Sequence, residues 1–218
     1  KMAAANLQGA NLRHVDLRDA DLRGSCLKKT DLRDANIRHA NLSEAKMPGA
    51  DLRRAILDDA DLNDVDLEDA NLTGTKMNRV NLRNARLTES CMSRSSLKYA
   101  DLSGADMIRT DLARADLSGA DLRDVDLSYA DLSRANINRV NLRGADLSGT
   151  LMPRCSLRNS DLRRINLSSS DLTLVDMTNA DLRDADLSNV CFKKATMKGV
   201  DLSGADLNNA DLNGADLQ

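Results

Sequence analysis

The chain has 218 residues and a net charge of −3, and 41% of its residues are hydrophobic although only 1% are aromatic. This charge excludes a polybasic nucleic-acid binder and a strongly acidic DNA mimic as immediate interpretations, and no apolar run approaches membrane-spanning length. Since ordinary cores use aromatic rings to fill irregular space, the composition predicts a core of repeated aliphatic side chains.

A five-residue frame runs through the whole chain. The word ADLSG occurs at 100–104, 115–119 and 145–149, and every residue number ending in 2 or 7 is Leu, Met, Ile or Phe. We call these the centre positions. Every number ending in 5 or 0 is a small position, occupied by Ala, Val, Ser, Thr, Cys or Ile. We therefore expect a single domain over residues 1–218, and its abrupt start in frame at Lys1 suggests an excerpt from a longer chain.

A period of five suits neither regular secondary structure. On an α-helix each step of five residues rotates the side chain by roughly 140°, so the centre residues would form no apolar stripe. On a flat strand an odd period would send successive centres to opposite faces. A chain that bends once per repeat directs every centre to one axis, so the pattern predicts a solenoid with a continuous core.

The residues after each centre have turn chemistry. All eleven glycines lie two residues after a centre, where a corner would favour positive φ. Pro48 and Pro153 each directly follow a centre, and Met47-Pro48-Gly49 is a type II turn sequence. The sequence therefore predicts one turn in every repeat.

The tandem motif A(D/N)LXX resembles the pentapeptide-repeat family over all 218 residues. The resemblance implies an all-β fold, a right-handed quadrilateral parallel β-helix with four pentapeptides per coil and about eleven coils. At about 4.8 Å per coil, the rod would be on the order of 50 Å long. Asp or Asn before the centre is the rule throughout the column from Asp21 to Asp201, in agreement with a twenty-residue coil.

No group of residues predicts catalysis or cofactor binding. Asp precedes the centre 23 times and Asn nine times, which favours hydrogen bonding within the turn over a charge-dependent metal site. The remaining candidates are isolated in this register: the cysteines Cys26, Cys91, Cys155 and Cys191, the outward histidines His14 and His39, and the tyrosines Tyr99 and Tyr129. We expect no enzyme, no cofactor and no metal, a buried Cys155, and unpaired thiols in a reducing, cytoplasmic compartment.

A basic column is the candidate partner face. Reading every twentieth residue gives Arg94, Arg114, Arg134 and Arg154. Like charges at strand spacing repel, so we expect Asp111 and Asp131 to offset Arg114 and Arg134 within their own repeats. Outward aliphatic residues adjoin the upper end of the column, and such a combination is typical of protein interfaces. They are Leu151, Pro153 and Leu174.

These features predict a non-enzymatic scaffold or spacer rod that binds other proteins on its walls, with nucleic acid not expected as a partner. The family resemblance implies an alternative, a DNA-mimicking protein that binds gyrase or another topoisomerase. Such relatives are acidic dimers, whereas this chain is near neutral. Uncapped coil ends would also favour end-to-end or dimeric association.

Overall fold

The architecture is a parallel stack of coils that repeats every twenty residues. The structure, a computed structural model, describes residues 2–218, so Lys1 lies outside the described residues. Among these residues there is no helix, and each β-element is a single bridge residue at a number ending in 1 or 6. Every bridge is parallel and joins residue i to residue i+20, from Asn6↔Cys26 to Thr196↔Asp216. The chain is therefore a β-helix with four pentapeptides in each coil.

Three backbone hydrogen bonds per repeat join neighbouring coils. In the repeat of Leu117, the amide of Asp116 donates to the Ser95 carbonyl of the previous coil at 2.9 Å. The amides of Leu117 and Gly119 donate to carbonyls of the next coil, at 2.8 and 3.0 Å. A fourth bond, from the Ala120 amide to the Leu117 carbonyl at 2.9 Å, closes the turn. Because these bonds recur along the chain, the backbone polar groups are satisfied without extended strands.

Each repeat turns at two residues. The first turn position has a residue number ending in 3 or 8, and the second turn position has a number ending in 4 or 9. The second turn position has positive φ in every described repeat that contains one, at 32 residues with a side chain and at 11 glycines. Gly49 has φ of 65°, and the Ala50 amide donates to the Met47 carbonyl at 3.0 Å, which confirms the predicted turn there. The left-handed conformation is thus imposed on Arg, Asp and even Leu174.

The core has two layers of inward side chains. Every centre residue from Leu17 to Met197 is buried, and so is every small-position residue from Ser25 to Ala195. Most buried hydroxyls at small positions donate to turn carbonyls, as Thr110 does to the Leu87 carbonyl at 3.0 Å, whereas those of Ser25 and Ser90 have no hydrogen-bond partner among the described residues. The prediction of a repeated aliphatic core is confirmed, and Phe192 fits in it with no exposed surface.

Most Asp and Asn side chains at bridge positions accept a hydrogen bond from an amide of their own turn, whereas the buried Oδ1 of Asn36 has no hydrogen-bond partner among the described residues. The Oδ1 atom of Asp131 accepts the Ser133 amide at 2.8 Å, and Oδ1 of Asn141 accepts the Arg143 amide at 3.2 Å. Asn serves as well as Asp because only an acceptor oxygen is required. The predicted structural role of these side chains is confirmed.

The Leu122→Lys substitution tests the core. Leu122 is 1% exposed at mid-stack, so loss of its packing and burial of an ammonium group should together cost at least about 3 kcal/mol of unfolding free energy. Leu151→Lys, at a side chain that is 51% exposed, should change stability by less than about 1 kcal/mol. Urea unfolding followed by circular dichroism measures both. Equal midpoints for the two variants would contradict the two-layer core.

Candidate protein-interaction surface

The arginine column occupies one corner of four successive coils. Arg94, Arg114, Arg134 and Arg154 all stand at second turn positions, with φ between 58° and 62°, and all four are exposed. The parallel register places each one coil, about 4.8 Å, from the next. We call these four residues the Arg94 column. The structure therefore brings together the four arginines that the sequence predicted to be neighbours.

The expected pairing of this column with aspartates is wrong. Asp111 and Asp131 direct Oδ1 to the amides of Ala113 and Ser133, at 2.9 and 2.8 Å. Across residues 2–218, no ion pair joins any arginine of the Arg94 column to a carboxylate. The column is electrostatically uncompensated.

Arg114 and Arg134 do not pair with these aspartates because arginines at the two turn positions reach different neighbours. Where the bridge residue is an aspartate, an arginine at the first turn position binds that aspartate two residues earlier, as Arg33 binds Asp31. Arginines at second turn positions pair only along their own corner, with an acid twenty residues away. Within residues 2–218 three such pairs form: Arg54–Asp34, Arg79–Asp59 and Arg109–Glu89. Asp111 and Asp131, being at bridge positions, therefore cannot serve Arg114 and Arg134.

In the lower coils of the same corner, positive and negative charges balance each other. There His14, Asp34 and Arg54 follow one another in successive coils, and Arg54 binds both oxygens of Asp34, at 2.7 and 2.8 Å. The Arg54 guanidinium, with a smaller contribution from His14, holds the pKa of Asp34 below its usual value. On the next corner His39, Asp59 and Arg79 repeat the arrangement. Each histidine is thus placed beside a carboxylate, and the two do not converge on one site.

The first turn positions next to the Arg94 column hold short, uncharged residues. In these four repeats they are Ser93, Ala113, Ser133 and Pro153. In lower coils of the same corner, arginines at this position bind aspartates. Above the column, Leu151 is 51% and Leu174 41% exposed, and Pro153 is half-buried. The guanidinium groups are therefore accessible from the side, with apolar surface at one end.

The cysteines and tyrosines form no second site. All four cysteines are free; Cys155 is buried, as predicted, and burial raises the pKa of its thiol far above the usual range. Cys191 is half-buried, with Sγ 3.4 Å from the Thr173 hydroxyl. Tyr99 and Tyr129 are exposed on corners that lie across the coil from each other. In the described part of the chain, no group of three or more His, Cys, Asp or Glu side chains is placed to hold a metal ion.

The family follows from both the repeat and the fold. Eight overlapping segments match the model of the family described as pentapeptide repeats: 1–38, 35–74, 66–104, 90–128, 115–152, 152–189, 160–199 and 180–218. The chain belongs to the pentapeptide-repeat family.

Two solved structures illustrate the likeness. HetL, a pentapeptide repeat protein involved in heterocyst differentiation regulation in the cyanobacterium Nostoc sp. strain PCC 7120, is 33% identical with a TM-score of 0.66, covering 96% of this chain and 88% of HetL. A trypsin-treated form of QnrB1, a plasmid-mediated fluoroquinolone resistance protein, is 20% identical with a TM-score of 0.58, covering 98% of this chain and 89% of QnrB1. The second likeness shows the fold alone.

Comparison with curated proteins gives no match. No helix of the length and apolarity needed to cross a membrane occurs within residues 2–218.

The paired lower coils predict a pH dependence. Hydrogen bonds from Arg33 lower the pKa of Asp31 to about 2, below the value of about 3.9 expected in the unfolded chain. The stabilisation is complete above about pH 4 and is lost as the pH falls through the folded-state value. Carboxyl ¹³C titration should give a midpoint near 2 for Asp31. In Arg33→Ala the midpoint should rise towards 3.9, and an unmoved midpoint would show that Arg33 is not the cause.

Proposed function

We propose that the protein is a non-enzymatic interaction rod that binds an acidic protein segment along the Arg94 column, with Leu151, Pro153 and Leu174 as the apolar end of the contact. The observation that carries this proposal is four successive arginines without a carboxylate partner among the described residues. As architecture we propose a right-handed quadrilateral β-helix of about eleven coils, one domain over residues 1–218. The four free cysteines support a reducing, cytoplasmic compartment.

In the free protein, electrostatic repulsion between the arginines of the Arg94 column raises the free energy of the folded state. Two unit charges about 4.8 Å apart repel by about 0.9 kcal/mol even at the dielectric constant of water. The chain avoids this cost where Asp34 and Arg54 share the same corner. An acidic partner would relieve the repulsion in three adjacent pairs at once, so charge complementarity favours an anionic occupant.

The spacing of the column favours a helical segment. Side chains three and four residues apart on one helix face are about 5–6 Å from each other, close to the coil spacing of about 4.8 Å. Three intervals span about 14 Å, which corresponds to about ten helical residues. An acidic helix lying along the corner would place carboxylates against the arginines and an apolar residue against Leu151 and Leu174. Exposed aliphatics beside arginine are what such interfaces use.

The test uses a helical peptide with glutamates on one face and a leucine near one end. Arg114→Ala combined with Arg134→Ala should weaken its binding about 2- to 30-fold, since each exposed charge pair contributes roughly 0.2–1 kcal/mol. Fluorescence anisotropy at low and high salt measures the affinity, and the difference should shrink with salt.

The matched control is Arg13→Ala combined with Arg139→Ala. These arginines are also exposed and have no ion pair in the described structure, so the net charge changes equally. The control should bind the peptide as the unmodified protein does. Equal weakening by the two double variants would mean that net charge alone acts and would contradict the proposed face.

A second candidate function rests on an acidic column. Five aspartates at bridge positions of one face form no ion pair with any described cation: Asp106, Asp126, Asp146, Asp186 and Asp206. Stacked carboxylates without cations favour the alternative of a DNA-mimicking gyrase or topoisomerase binder. Inhibition of gyrase supercoiling by excess protein, relieved by Asp126→Asn with Asp146→Asn, would support it. Unchanged supercoiling at excess protein would exclude it and leave the interaction rod standing.

A further inference from the structure

A separate cluster of arginines lines a cleft on the corner that lies ten residues, half a coil, from the Arg94 column. The cleft is lined by Arg143, Arg163, Arg164, Arg183 and Asp184, from three successive coils. We call it the Arg143 cleft. Four guanidinium groups and one carboxylate thus share a single concavity.

Two of the four arginines are paired but keep donors free. Arg163 binds Asp161 through Nε at 2.8 Å and Nη2 at 2.5 Å. Arg183 binds Asp181 through Nε at 2.9 Å and Nη2 at 2.7 Å. Longer contacts join Arg163 to Asp181 and Arg183 to Asp201, both at 3.6 Å and both through Nε. In the described part of the chain no hydrogen bond joins the Nη1 group of either arginine to a carboxylate.

The other two arginines have no carboxylate partner among residues 2–218. In the repeat of Arg143 the bridge residue is Asn141, which binds the Arg143 amide but carries no charge. Arg164 has Asp184 in the next coil of its corner, yet no ion pair forms. Oδ1 of Asp184 lies 2.5 Å from where a Cβ on Gly204 would stand, so this carboxylate extends towards the coil beyond.

The concavity continues into the coil below, past Gly144, which occupies the corner position one coil before Arg164 with φ of 73°. This lower part is lined by Arg123, Asp124, Arg143, Gly144 and Arg164. Oδ1 of Asp124 lies 2.6 Å from where a Cβ on Gly144 would stand, so this carboxylate covers the glycine. Among the described residues Asp124 forms no ion pair with Arg143 or Arg164, and both guanidinium groups face the common concavity.

We propose that the Arg143 cleft binds a phosphoryl group, either as inorganic phosphate or as a phosphomonoester on a peptide. Guanidinium groups present planar pairs of donors that match phosphate oxygens. Arg143 and Arg164 supply two uncompensated charges, and Arg163 and Arg183 add free Nη1 donors, which suits a tetrahedral dianion better than a single carboxylate. Because the Arg94 column is on another corner, the two ligands do not compete.

The first experiment titrates the full chain with inorganic phosphate at constant ionic strength, following the arginine Nε–H signals by NMR. Signals of Arg143 and Arg164 should shift saturably, while that of the isolated, unpaired Arg139 should not. Arg143→Gln and Arg164→Gln should each raise the Kd about tenfold, and Arg139→Gln by less than twofold. Shifts that are spread over all arginines, or reproduced by chloride, would overturn the proposal.

A second variant removes no arginine. Asn141→Asp gives Arg143 the carboxylate that Asp161 gives Arg163, so phosphate binding should weaken by at least fivefold while the fold is retained. Asn81→Asp makes the same change beside Arg83, three coils away, and should leave the affinity unchanged. Equal affinities for the two variants would contradict the role of the uncompensated Arg143.

The source of the phosphoryl group is tested with a phosphoserine peptide and its unphosphorylated form. Binding of the phosphopeptide with the same dependence on Arg143 and Arg164 supports a phosphorylated partner. Binding of inorganic phosphate alone supports a small-anion site. Binding of the unphosphorylated peptide with equal affinity would show that the phosphoryl group is not recognised and would overturn the proposal.

Discussion

The parallel backbone hydrogen bonds between residues i and i+20 are the constraint on which the whole structure depends. They pair the amide and carbonyl groups of the backbone, and they place equivalent positions of successive coils directly over one another at about 4.8 Å. The same register that stacks Leu on Leu in the core stacks surface charges into columns. Each surface side chain therefore has the residues twenty positions before and after it as its neighbours along the stack, and their charges decide whether it is attracted or repelled there.

Two adjacent turn residues follow different rules within that register. An arginine at the first turn position binds the aspartate of its own turn where that aspartate is present, whereas one at the second turn position pairs only with an acid on its own corner. Compensation therefore depends both on the turn position and on the residue at the site that the arginine reaches. Arg33 is paired, while Arg114 and Arg143 have no carboxylate partner among the described residues. The proposed helix-binding face and the proposed phosphoryl site both arise where acids are absent from the position that would pair with an arginine.

Most of the fold could be predicted from the five-residue frame, because period, turn glycines and small positions agree. The Arg94 column and the exposure of Leu151 and Leu174 also followed from counting by twenty. The pairing of Arg114 with Asp111 was wrong because proximity in sequence does not show where a side chain leaves the turn. The Arg143 cleft was missed, although Asn141 beside Arg143 was a signal: a neutral residue where the neighbouring repeat has Asp161.

By itself, the sequence determined the coil, its two-layer core and the column to which each residue belongs. These features depend only on the five-residue period, which recurs in every repeat. Tertiary structure alone decided which charges are compensated. That outcome depends on the positive φ of the second turn position, which directs its side chain along the stack, and on bridge aspartates held by their own turn amides. Such geometry exists only when coils are stacked, so the pattern of paired and unpaired surface charges is a property of the folded rod.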